Sequence, residues 1–162
     1  MPKGSEKLTN ARRQEIIDAC EQLYEVIPFK DITLGGIGAK TSFTRTSIYN
    51  YFRTKEEIFL ALLEREFRTW SSDLASLAEQ SFPQREFASR FADLLAGRRC
   101  MLKLLSMNLY DLETGSRLEN LVEFKKAYKD SMQAVALCLE RHFPNVTEEE
   151  VQQFVYAFYP FL

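Results

Sequence analysis

Apolar residues recur along this chain every third or fourth position, and no window alternates apolar and polar side chains for long. Ile16, Cys20, Leu23 and Ile27 step in this way and predict a first helix from about Asn10 to Val26, with Pro28 just beyond its end. Phe59, Leu63, Phe67, Trp70, Leu74 and Leu77 form a stripe that predicts a long helix running to about Ala78. Its start is marked by Thr54-Lys-Glu-Glu57, the spacing at which two side chains cap each other's main-chain N–H groups. The same spacing recurs at Ser116–Glu119 and at Thr147–Glu150. Behind Ser116, Leu121, Phe124, Tyr128, Met132, Val135 and Leu139 outline another long helix. Pro83 and Pro144 fall between helices, and Asp111 to Gly115 reads as a turn. Helices are expected near 84–96, 98–110, 116–143 and 147–162. The pattern predicts an all-α protein with no repeats and no low-complexity segment.

The run "ITLGGIGAKTSFTRTSIYNYF", residues 32–52, fits none of these long stripes and admits two readings. Its glycines with Lys40 and Thr41 suggest a phosphate-binding loop, but Ala39 stands where that loop needs its second glycine. The preceding "FKDIT" is also too short and polar for the buried strand such a loop follows. A helix-turn-helix accounts for more residues. Thr33 is placed to cap a short helix over Leu34 to Thr41, Ser42-Phe43 makes the turn, and Thr44 is placed to cap a second helix. Ile48 and Phe52 then face inward with Ile37 and Phe43, and Gly38 lets the two helices approach. Arg45, Thr46, Ser47 and Asn50 face outward, with Tyr49 and Tyr51 on the flanks. Arg and Asn make two-pronged contacts to guanine and adenine edges, while hydroxyls reach bases or phosphates.

Charge agrees with this in direction. Residues 1–55 carry nine Lys or Arg against six Asp or Glu, whereas the other 107 carry twelve against seventeen. A basic front suits a face shown to a polyanion. Apolar residues make up 46% and charged ones 27%, ordinary for a globular protein with a real core. No apolar run approaches the ~20 residues that span a membrane, and the polar start has no secretory stretch. Cys20, Cys100 and Cys138 have neither ligand spacing nor a disulfide framework, which points to a reduced, cytoplasmic setting.

From Ile32 to Leu62 the motifs resemble the DNA-binding domain of the TetR family of bacterial transcriptional regulators. The residues that carry the resemblance are Ile32-Thr33, Ile37-Gly38, Thr44-Arg-Thr-Ser47-Ile-Tyr49-Asn-Tyr51-Phe52 and Thr54-Lys55-Glu-Glu57-Ile58. It implies a three-helix domain over residues 1–55, with the start of a fourth helix to about 65. That long helix would join it to a helical ligand-binding and dimerisation domain over 56–162. By the same resemblance Arg45, Thr46 and Asn50 are candidate base readers, and Thr44, Tyr49, Tyr51 and Lys55 candidate phosphate contacts. Two departures stand out. Ser42 replaces a glycine usual at a turn position that often needs positive φ, and Gly35 and Gly36 replace polar helix formers, each costing ~1 kcal/mol relative to Ala.

The second half offers chemistry of a different kind. Trp70, Phe87, Phe91, Met101, Met107, Tyr110, Phe124 and Tyr128 are a rich aromatic and Met supply, suited to core or to lining a pocket for a largely apolar ligand. Val151, Phe154, Val155 and Phe158 form an apolar face expected to contribute to a homodimer. The chain ends within "FVYAFYPFL", read as a C-terminal truncation or a boundary just short of a final helix. His142 is the only histidine, and no carboxylate pair or nucleophile–base pair surrounds it, so no catalytic site, metal site or cofactor is expected. The expected function is a transcriptional repressor bound to a palindromic double-stranded operator and released by a small apolar inducer. The alternative is a helical protein–protein interaction module that keeps the fold without binding DNA.

Overall fold

The computed structural model describes residues 3–162, apart from the side chains of Lys3 and Arg45. Among the described residues there is no strand. The helices are α1 (Lys3–Val26), α2 (Leu34–Gly38), α3 (Arg45–Ile48), α4 (Lys55–Ala78), α5 (Phe87–Gly97), α6 (Arg99–Leu105), α7 (Leu109–Thr114), α8 (Leu118–His142) and α9 (Glu148–Phe158). They fall into two compact units. The first comprises the chain up to Leu62 together with Asn108–Leu121, and the second comprises Leu63–Met107 with Val122–Leu162.

In the first unit α1 starts well before Asn10. Residues 5–12 are exposed all round, so that stretch lacks the one-sided apolar stripe by which a helix is read from sequence. Further along, Ile16, Ile17 and Cys20 are buried, as are Ile37, Ile48 and Phe52 and the start of α4 at Ile58 and Phe59. Tyr24 and Phe29 both meet the Phe59 ring edge-on, at 5.1 and 4.8 Å between centroids. The guanidinium of Arg13 lies 4.4 Å from the centre of the Phe52 ring. This small core is what fixes two helices of only five and four residues, far too short to persist alone.

Several caps differ from expectation. Thr33 behaves as predicted, its hydroxyl accepting from the Gly36 N–H at 3.0 Å. However, α2 ends at Gly38, and the Thr41 hydroxyl donates back to the Gly38 carbonyl at 2.8 Å. Ser42 needs no positive φ, and none occurs among the described residues. Its N–H and its hydroxyl both donate to the Glu15 carboxylate of α1, so a long-range tie holds the turn where a glycine was expected. Thr44 occupies the N-cap position of α3 without capping it. Its hydroxyl pairs with that of Ser47 at 3.0 Å.

The turn predicted at Asp111 to Gly115 is the helix α7, capped by the Asn108 side chain, which accepts from the Tyr110 N–H. The cap predicted at Ser116 does not form: its hydroxyl donates to the Leu112 carbonyl at 2.7 Å and α8 begins at Leu118. The helix expected over 98–110 is likewise two shorter ones, interrupted by Ser106–Asn108.

In the second unit the α4 stripe of Leu63, Phe67, Trp70, Leu74 and Leu77 is wholly buried, with Phe124, Val135 and Cys138 of α8 and Met101 and Leu104 of α6. Rings meet repeatedly, Phe67 with Tyr128 at 5.2 Å, Trp70 with Phe91 at 5.4 Å, and Tyr128 with Tyr159 at 5.2 Å. The Thr147–Glu150 capping box closes in both directions, as its spacing predicts.

Candidate nucleic-acid interface

The one-turn helix α3 and the loop to α4 present the outward residues. Thr46 and Asn50 are exposed, Ser47 and Tyr51 half-buried, and Tyr49 is 52% exposed. Ile48 and Phe52, buried beneath them, anchor the opposite side. The Phe43 and Tyr51 rings lie 6.2 Å apart at one flank. The side chain of Arg45 lies outside the described residues. The set therefore offers hydroxyls, a carboxamide and a phenol on one face, groups that hydrogen-bond base edges and phosphate oxygens.

Lys55 is placed differently from its sequence role. Its ammonium donates to the carbonyls of Phe29 and Ile32, at 2.9 and 3.1 Å, and sits 4.2 Å from the centre of the Phe29 ring. It thus staples the loop after α1 to the start of α4, with at most one N–H left for another acceptor. Exposed cations flank α3 instead at Lys40 and Arg53, neither of which the sequence reading selected for DNA. Their only signal in sequence is proximity to the motif.

Behind the face lies a buried polar group with several partners. Thr54 accepts from the Glu57 N–H at 3.2 Å while donating to the Gly115 carbonyl at 2.8 Å. The Glu57 carboxylate, only 1% exposed, turns away from the Thr54 N–H. It accepts instead from the Arg53 N–H at 2.8 Å, from the Arg117 N–H at 3.0 Å, and from Arg117 Nε and Nη2 at 2.7 and 3.0 Å. Burial pushes its pKa up, but these donors and the guanidinium charge more than offset that and hold it below the ordinary carboxylate value. The partner Arg117 is raised by the same hydrogen bond, against its own desolvation.

The eight aromatic and Met residues expected to line a pocket do not form one site, although Trp70 meets Phe91, Phe87 meets Phe91 and Phe124 meets Tyr128. Trp70, Met101 and Phe124 are core, Tyr128 and Met107 are half-buried, and Tyr110 is 69% exposed on α7 of the first unit. Phe87 and Phe91 do border an open groove of about 620 Å³, walled also by Leu139, Phe143, Phe154 and Phe158. The expected dimer face is divided. Val151 and Val155 are spent on the core of their own unit, leaving Phe154, 40% exposed, and part of Phe158 outside. The sequence stripe was correct in period but could not say which edge of α9 packs inward.

His142 Nε2 donates to the Leu77 carbonyl, 3.0 Å away, and the ring stacks on Phe82 at 4.3 Å between ring centres. Cys20 and Cys138 are buried, and desolvation pushes the Cys138 thiol up to about 11, opposite to the activation a nucleophile needs.

No helix is long and apolar enough to cross a membrane among the described residues. No individual curated protein matches the chain. Two family profiles do: that of bacterial regulatory proteins of the tetR family over residues 16–62, and that of tetracyclin repressor-like C-terminal domains over residues 64–162. A capped helix-turn-helix with a polar outward face, followed by a helical second half that matches its own profile, leads to one assignment: the chain belongs to the TetR family and is a DNA-binding transcriptional regulator.

Proposed function

We infer that the chain is a repressor that reads a palindromic operator as a homodimer and leaves it when a small, largely apolar molecule binds the second unit. The observation that carries the DNA contacts is the outward set Thr46, Tyr49 and Asn50 over a buried Ile48–Phe52 anchor. Asn50 and Arg45 take the role of base readers. Thr44, Ser47, Tyr49 and Tyr51 take that of phosphate or base-edge partners, joined by Lys40 and Arg53. Lys55 acts by tying the loop after α1 to the start of α4.

Selection of duplexes from a random pool by the chain itself tests this reading. A palindromic consensus is expected, and Asn50→Ala should lose ~1–3 kcal/mol at one position of it. An unselective pool would sink the repressor reading and favour the interaction module.

The inducer site we assign to the groove bordered by Phe87, Phe91 and Phe158, whose walls suit an apolar guest of drug size. Phe91 also touches Trp70, so a guest there should alter the fluorescence of the one tryptophan. Ligands that quench Trp70 yet leave duplex affinity unchanged would show that the groove does not control DNA. For assembly, Phe154→Glu should yield folded monomers in sedimentation if its edge of α9 meets a partner.

A further inference from the structure

The geometry points to residues 108–121 as a strap that sets the recognition helix α3, with Arg117 and Gly115 as positioning residues for DNA binding. This rests on reading the first unit as the DNA-binding one.

A one-turn helix has almost no stiffness of its own, so its aim is set by what holds the chain on either side. On its C-terminal side, three of the four residues from Tyr51 to Thr54 are tied to the strap. The Tyr51 carbonyl accepts from Arg117 Nη2 at 3.1 Å. The Arg53 N–H donates to Glu57, which the Arg117 fork grips from the other side. The Thr54 hydroxyl donates to the Gly115 carbonyl. Gly115 marks how closely the strap is seated: a Cβ there would lie 2.8 and 2.9 Å from the Glu56 side chain, at Cγ and Cβ near its root. Its φ of −81° is open to any residue, so the close approach is the reason for glycine.

The strap is part of the DNA-binding unit, yet both its ends run directly into the other one, at Met107–Asn108 and at Leu121–Val122. Chain tension or slack at either end therefore acts on the loop behind α3 through Arg117, together with the first turn of α4, which carries Glu56 and Glu57. A guanidinium is suited to this task. It grips the Glu57 carboxylate with two parallel donors and still reaches a main-chain carbonyl, a geometry no lysine reproduces.

A simple staple would add stability and nothing more, and the two roles separate experimentally. The full chain is used, with a duplex enriched from a random pool by the unaltered chain. If the unaltered chain enriches nothing, the DNA-binding reading itself fails. Given an enriched duplex, Arg117→Lys and Gly115→Ala are assayed at a temperature where circular dichroism shows each fully folded. Arg117→Lys should bind about tenfold more weakly, the scale of one lost charge-assisted hydrogen bond. Gly115→Ala should weaken binding as well, because its added methyl unseats the strap from the Glu56 side chain. The slope of log affinity against log salt should stay the same, since no phosphate contact is removed. A lost phosphate contact would instead lower that slope by about one, and would overturn the proposal, as would unaltered affinity in either folded variant. Should one variant fail to fold, the other decides alone. If both fail, Arg117→Gln with Glu57→Gln replaces the ion pair by a neutral hydrogen-bonded one. Unaltered affinity in that folded protein would again overturn the strap.

Discussion

The two units hold helices in place by opposite means. In the first, the helices α2 and α3 that follow the 24-residue α1 are short and the ties are specific: Ser42 to Glu15, Lys55 to two carbonyls, and Glu57 to Arg53 and Arg117. In the second, helices of up to 25 residues are joined mainly by aromatic packing. Its side-chain links include Tyr159 to Ser131, His142 to the Leu77 carbonyl, and the partly exposed pairs Arg98–Asp73 and Arg68–Glu123. Packing is non-directional and tolerates sliding, whereas a buried charge with four donors defines one position. A unit that must aim a one-turn helix at a groove needs the second kind of fixing. A unit proposed to hold an apolar guest is served by the first.

The contrast would be broken most readily in the aromatic core. Phe67 is fully buried against Phe124, Tyr128 and Tyr159. Phe67→Ala should cost ~3–5 kcal/mol, the range for a large ring removed from a packed interior. The denaturant midpoint followed by Trp70 fluorescence reads this out. A loss under 1 kcal/mol would mean that this core repacks freely and is looser than its burial implies.

Next in size is the buried ion pair. Arg117→Ala leaves the Glu57 carboxylate with only two main-chain donors from this group, the N–H groups of Arg53 and of position 117, and no compensating charge, and should destabilise the first unit by about 3 kcal/mol. Amide exchange in α2 to α4 should rise while exchange in α9 stays put. The same pair sets an acid limit. Because the folded Glu57 pKa is lowered from 4.5, its contribution is present above that value and disappears as pH falls through the folded one. The second unit has its limit at the other end of the scale. Tyr159 is pushed up to about 12 by burial, with its bond to Ser131 partly opposing, so it favours folding while protonated. That stability fades as pH rises from about 10 toward the folded value. Acid should therefore expose amides of the first unit first, and alkali those of the second. Simultaneous loss at both extremes would erase the distinction. Tyr159→Phe removes one buried hydrogen bond and should cost ~1 kcal/mol while weakening the alkaline response.

How legible each region was in the sequence follows the same division. Features set by residues three or four apart came through: the Thr33 cap, the Thr147–Glu150 box and the inward stripe of α4. Features set by distant partners did not. Thr44 and Ser116 have cap chemistry at cap spacing, yet Ser47 and the Leu112 carbonyl take their hydroxyls. Ser42 was read as a strained glycine substitute because Glu15, 27 positions earlier, is invisible to local pattern. Lys55 looked like a free cation for phosphate until Phe29 and Ile32 supplied carbonyls. The strap was hidden for the same reason, since Glu57 and Arg117 are 60 positions apart and each alone is an ordinary surface charge. In the second unit the aromatic supply was plain, but composition alone cannot separate the buried Trp70 from the groove-lining Phe91.

The smallest expected effect is also the sharpest probe of how the first unit holds its short helices. Gly36 lies mid-way along α2, and its N–H is the donor that Thr33 caps. A methyl group there would meet Thr33 Oγ1 at 3.4 Å and Leu23 Cδ1 at 4.0 Å, ordinary contacts on either side. Nothing in its backbone needs glycine, because no residue of the described chain has positive φ. Gly36→Ala should then raise stability by ~0.5–1 kcal/mol, chiefly by removing freedom from the unfolded chain. The melting temperature should rise slightly, and the amides of Ile37 and Gly38 should exchange more slowly. A lower melting temperature would mean that the added methyl disturbs the Thr33 hydroxyl. In that case the cap, more than helix propensity, would be what keeps α2 folded.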